Sequence, residues 1–443
     1  VQKVQVAAPA RILAVDFYRV SGVILIVLGH WTAASVTYRD GYFGRENPLV
    51  DQPWTQWLTW PFQAVPVFFL VAGYAGAVSW QHHNAFGGVT GQHWLRRRLA
   101  RVLGPTAVYV GLVSAVVVVL AIMRAPGSLL EYAGWAVAMH LWFLAVYVLV
   151  VLLTPVAVAA QQRWGLLVPA VLAVVVAAVD VASLAGHLSA LGWLNYLVCW
   201  GALYQLGIAW HQGGFAGRRP IVLVVGAALA LTALLWPGPY PVSMIGVPGQ
   251  AVQNTTPPSI AMLAFGCTQA GVAMALAPLL NRMLRSAVAR RLVATANTNV
   301  MSLYLWHMLP VVIVAVVGYP AGLLPQPPEG TGQWWLARLE WVVILSVVTA
   351  VEMVLLWLLR RFFAAPLPIV EVSMSDRWTG PSLVMGAALT ASALGFLAAA
   401  GFAPDGRFHW VTAIVFGGGL VLVALTGTRS AGRREESNEH PTG

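Results

Sequence analysis

The chain has 443 residues, of which 59% are hydrophobic and only 9% charged. A soluble domain carries about 25% charged residues, so this composition excludes an ordinary soluble fold and points to an all-α polytopic membrane protein. The formal charge of +10 comes almost wholly from arginine and is scattered over short loops, which excludes a nucleic-acid-binding module.

Stretches of about 20 mostly apolar residues fall near 12–36, 57–80, 102–123, 134–160, 166–186, 191–211, 220–237, 258–280, 296–319, 338–359, 382–402 and 409–427, about twelve spans in all. With a cytoplasmic N-terminus, the inner segments hold most arginines, among them Arg96, Arg97, Arg98, Arg101, Arg282, Arg285, Arg360 and Arg361. The outer segments hold only Arg39, Arg45, Arg124, Arg338 and Arg407. The positive-inside rule then places both termini in the cytoplasm. The first apolar run is too long and too charged for a cleavable signal peptide. Residues 1–11 read as a cytoplasmic N-terminus and 429–443 as a disordered cytoplasmic tail. Cys199 and Cys267 lie in apolar spans, where they read as inert buried thiols; no metal site is expected.

The first span, ILAVDFYRVSGVILIVLGHWTAAS, carries Asp16, Arg19 and His30. Ionisable groups in hydrocarbon cost roughly 2.5–3.5 kcal/mol or more each, so their default reading is functional. Arg19 and His30 are eleven residues apart, which is three turns plus roughly 20°, and so share a helix face about 16 Å apart along the axis. Asp16 stands one turn before Arg19, close enough to pair with it. The alternative is an ion pair at the inner interface with Arg19 snorkelling. Read functionally, His30 is a general base for a hydroxyl, and Arg19 faces an anionic ligand.

The segment QHWLRRRLAR places Arg96, Arg97, Arg98 and Arg101 at the inner end of the third span, suited to phosphates or equally to anionic lipid. Spans four and nine add His140 and Trp142, then Asn297, Asn299, Tyr304 and His307. Three histidines at compatible depths imply a polar cavity; hydrogen bonding between helices is the alternative for each singly. Asp180 and Glu352 are further intramembrane acids, either pathway or structural residues. Outer loops 38–56, 237–258 and 320–335 expose aromatics that suit a sugar or lipid headgroup, or simply the membrane interface. In the second span, Pro61, Pro66, Gly73 and Gly76 imply a kink and a small face for close packing.

DFYRVSGVILIVLGH resembles the first-helix signature of membrane acyltransferase family 3, an Arg, ten residues and a His. VPVFFLVAGYAGAVSW, RRRLARVLGP, HLWFLAVYVLVVLLTP and NVMSLYLWHML are similar to further family segments, in the family's order. Ala72 stands where the family usually has Ser. The resemblance implies a ten-span acyltransferase core at 12–360, with two additional C-terminal spans in 361–428, in a bacterial inner (plasma) membrane. It also implies transfer of an acyl group, acetyl by preference, from acyl-CoA to an envelope glycan or glycolipid hydroxyl. His30 would be base or acyl carrier, and Arg19, with Asp16 one turn before it, would hold the donor's anionic part or polarise its thioester carbonyl. The four arginines would meet CoA phosphates, and His140, Trp142, Tyr304 and His307 would line the substrate cavity. A transporter or flippase is the alternative, since about twelve spans with both ends inside is a common transporter architecture. A polyprenyl-linked glycosyltransferase would want an acidic pair in the first outer loop, where Asp40, Glu46 and Asp51 are scattered.

Overall fold

The computed structural model describes residues 12–85, 91–186, 188–372 and 375–427. Lys3, Arg11 and the tail after Gly427 lie outside the described residues.

The first helix, α1 (Leu13–Ala33), is a long apolar run with no proline. Its first turn has no side-chain cap of its own; Asn281 supplies one from elsewhere, its Oδ1 accepting the Ala14 N–H at 2.9 Å. Beyond α1 the chain turns back in a hairpin, β1 (Ser35–Arg39) and β2 (Tyr42–Glu46), with Arg39 opposite Tyr42. Asp40 and Gly41 both have positive φ, the backbone that a two-residue turn between right-twisted strands requires. This ribbon departs from the purely helical expectation, as does a short parallel pair, β3 (Val370–Val372) with β4 (Leu425–Gly427).

Short helical turns over 48–62 lead into α2 (Val65–Ala85), followed by α3 (Gly91–Ile122), α4 (Gly127–Ala136) and α5 (Trp142–Trp164). Next come α6 (Leu167–Leu184), α7 (Asn195–His211), α8 (Arg219–Leu235), α9 (Ile260–Met283), α10 (Ala287–Trp306) and α11 (Leu309–Gly318). The last long helices are α12 (Gly332–Leu358), α13 (Asp376–Ala400) and α14 (Trp410–Ala424). Among the described residues, eight helical stretches are long and apolar enough to span a membrane, or nine if the bent pair α10–α11 is one span. At 17, 17 and 15 residues, α7, α8 and α14 fall short of the usual crossing length.

Helices α2 and α7 pack backbone to backbone. A Cβ at Gly73 would lie 1.9 Å from the Tyr204 carbonyl, and one at Gly207 1.9 Å from the Leu70 carbonyl. Without a hydrophobic force between spans, such close approach supplies the association energy. On α12, Leu336, Leu339, Val343, Val347, Val351 and Val354 form an exposed apolar stripe that marks its lipid face. The C-terminal pair is not peripheral: α13 packs on α5 and on the turn Met139–Leu141, and α14 packs on α13 and α3.

Asp180 is structural. Its carboxylate accepts from the Tyr240 hydroxyl at 2.8 Å and from the Ile260 N–H at 2.7 Å, so it caps the start of α9. Both carboxylate oxygens of Glu352 are buried without a hydrogen-bond partner among the described residues.

Candidate active site

Helices α1 and α10 lie against each other and carry the polar groups of the first and ninth expected spans. Near the start of α1 and midway along α10, Asn297 bridges two charges. Its Nδ2 donates to Asp16 Oδ1 at 3.3 Å, and its Oδ1 accepts from Arg19 at 3.3 Å. Asp16 and Arg19 approach to 3.9 Å, so the expected pair is completed by an amide that sequence spacing did not reveal.

The histidines meet further along. His30 Nδ1 lies 2.8 Å from His307 Nε2, and the two rings are within 18° of parallel with centroids 5.1 Å apart. The His140 ring stands edge-on to His307 at 5.0 Å. His307 sits where α10 and α11 meet at a bend of 51°. Pro310, in the first turn of α11, has no N–H to continue the ladder. At this break the Tyr304 carbonyl takes the His307 Nδ1–H at 2.7 Å. The Trp31 indole donates to the His307 carbonyl at 2.9 Å, so α1 holds the break as well as the ring. His140 rides on the turn Met139–Leu141 just before α5, and its own carbonyl accepts the Tyr304 hydroxyl. His140 and His307 are buried and His30 is half-buried. Neither ring nitrogen of His140 has a hydrogen bond of normal geometry among the described residues.

A pocket of about 330 Å³ opens on these groups. Its lining is His30, His140, Trp142 and Tyr304 with Ile26, Val65, Phe68 and Phe143. Phe68 and Phe143 meet edge to face at 4.8 Å, making an apolar wall beside the imidazoles. Four of the sequence-derived residues therefore share one cavity, and His307 stands behind His30 rather than in the lining. Histidine chemistry needs a second group to fix the ring and room beside it for the reacting atoms; the His307 contact and the pocket answer to these. Among the described residues no group of three His, Cys, Asp or Glu side chains is arranged to hold a metal ion.

A larger pocket of about 620 Å³ lies between the hairpin and the start of α12. Both its arginines are engaged: Arg39 bridges Glu46 at 2.6 Å, and Arg338 donates to the Ala34 carbonyl and the Ser35 hydroxyl, each at 2.6 Å. Arg338 thereby closes the C-terminus of α1, four residues beyond His30. Nearby, Gln52 donates to Glu329, whose carboxyl burial pushes above the usual carboxylate range.

The four arginines of α3 do not share one face. Arg96 is fully buried and donates to the Leu425 and Thr379 carbonyls. This corrects the expectation that it meets a ligand phosphate: the groove it fills is made by α13 and the residues after α14. Arg98 reaches inward, over the Trp94 ring and beside the Tyr147 and Tyr204 hydroxyls. Arg97 and Arg101 are exposed.

The model of acyltransferase family 3, described as an acyltransferase domain, matches residues 12–357. The chain belongs to this family. Comparison with curated proteins and with solved structures returned no match. As a membrane acyltransferase, the protein carries its family region from α1 to the end of α12. The histidine pocket lies wholly within that region, while α13 and α14 follow it.

Proposed function

We propose that this acyltransferase moves an acyl group, acetyl by preference, from cytoplasmic acyl-CoA to a hydroxyl of a cell-envelope glycan or glycolipid. The reading places it in a bacterial inner membrane, with about twelve spans and both termini cytoplasmic. The observation that carries it is a half-buried imidazole, His30, opening on a pocket with aromatic walls.

His30 Nε2 takes the proton of the acceptor hydroxyl while its oxygen attacks the thioester carbonyl carbon. The carbon–sulfur bond breaks, and the CoA thiolate recovers that proton from His30. His140, Trp142 and Tyr304 receive the acceptor, and the half-exposed Arg19, oriented by Asp16 and Asn297, meets the donor. Arg97 and Arg101, the two exposed arginines of α3, bind its phosphates as fork donors. The apolar helices and the family membership support acyl transfer at a membrane.

The test is mass spectrometry of envelope glycans and glycolipids from cells with and without the protein. A product heavier by one acyl group, seen only with the protein, supports the reading. An unchanged envelope together with ligand flux that consumes no acyl-CoA would favour a transporter.

A further inference from the structure

We infer that His307 is a positioning residue that fixes which nitrogen of His30 is the base. The inference rests on the reading of His30 as base and adds a second residue to it.

A carbonyl oxygen only accepts, so the contact between His307 Nδ1 and the Tyr304 carbonyl places a hydrogen on Nδ1. Neutral His307 then has a lone pair on Nε2. The 2.8 Å contact to His30 needs one hydrogen between the rings, and His30 Nδ1 must supply it. Neutral His30 therefore has its lone pair on Nε2, the nitrogen with no protein partner among the described residues.

The backbone makes this arrangement. In a continuous helix the Tyr304 carbonyl would accept the Met308 N–H. At the bend it is released from the ladder, and the His307 ring takes it instead. The Trp31 indole, next to His30 on α1, clamps the His307 carbonyl. Helix α1 thus grips His307 by both ring and backbone. The third group of a serine-type triad does the same work with a carboxylate. Here the orienting group is neutral. When His30 gains the hydroxyl proton on Nε2, its Nδ1–H stays bonded to His307, and His307 takes up no proton.

Two variants separate orientation from bulk. His307→Phe keeps a ring but cannot accept; His307→Gln keeps a carbonyl oxygen that can. Expected is a fall in kcat of about 100-fold for His307→Phe, at the lower end of what base catalysis supplies, with acyl-CoA KM nearly unchanged. His307→Gln should recover about tenfold of that loss. Independently of turnover, nitrogen-15 NMR of the histidine-labelled protein in detergent should find His30 protonated at Nδ1 and bare at Nε2, and a mixture of tautomers in His307→Phe. Wild-type turnover in His307→Phe, or a wild-type His30 protonated at Nε2, would overturn the inference. The parent reading fails separately: it is His30→Ala, not His307→Phe, that must be inactive for His30 to be the base.

Discussion

His30 and His307 are 277 residues apart in sequence, yet their ring nitrogens lie 2.8 Å apart. The same two helices meet again where Arg19 contacts Asn297 at 3.3 Å. The pairs follow the same order along both helices, so α1 and α10 run parallel. Parallel spans need an odd number of crossings between them, so α7 and α8 either both cross the membrane or both do not.

The Asn297 bridge gives the first prediction. Asn297→Ala removes the group that holds Arg19 and Asp16 together. Expected is a rise of about tenfold in the KM for acyl-CoA, the scale of one lost hydrogen bond to a charged group, with a smaller effect on kcat. Arg19→Ala should abolish transfer while leaving a folded, inserted protein. Steady-state kinetics in lipid nanodiscs reads both, with circular dichroism as the folding check.

Arg96 should behave as a structural residue. Replacing it by Ala leaves the Leu425 and Thr379 carbonyls without their donor. Hydrogen bonds from a charged donor are worth about 1.5–3 kcal/mol, so a clearly lowered Tm is expected. Arg97→Ala and Arg101→Ala, at exposed positions, should leave Tm unchanged and raise the KM for acyl-CoA. Equal loss of Tm in all three variants would refute this division.

The shared face of Arg19 and His30 was legible because helix periodicity alone fixes it, and depth alone brought His140 and His307 to the level of His30. The His–His contact was not legible, since it depends on the break at Pro310, a residue whose signal was present but unweighed. Asp40–Gly41 likewise signalled a hairpin inside what composition presented as a loop. Arg96 could not be separated from its neighbours by sequence. Its burial is decided by α13 and by the residues after α14, more than 280 positions later.

Glu329 supplies a pH dependence. Burial raises its carboxyl pKa, with Asp51 and Glu46 adding to the effect and the Gln52 bond opposing it. A raised folded-state pKa means that its contribution to stability is present below the unfolded value and is lost as pH rises through the folded one. The contact between loops 48–56 and 320–331 should therefore loosen as pH rises from the ordinary carboxylate range. Hydrogen exchange of these loops should show this in the wild type, and Glu329→Gln should flatten the response. A Glu329→Gln profile identical to wild type would contradict it.

The most direct measurement is transfer of a labelled acyl group from acyl-CoA by His30→Ala reconstituted with envelope glycolipid. Base catalysis contributes about 10²–10⁴-fold, so label in the acceptor should fall by at least about 100-fold while α1 remains inserted and helical. Label transferred at the wild-type rate would show that the proton leaves the hydroxyl by another route, and His30 would lose its assigned role.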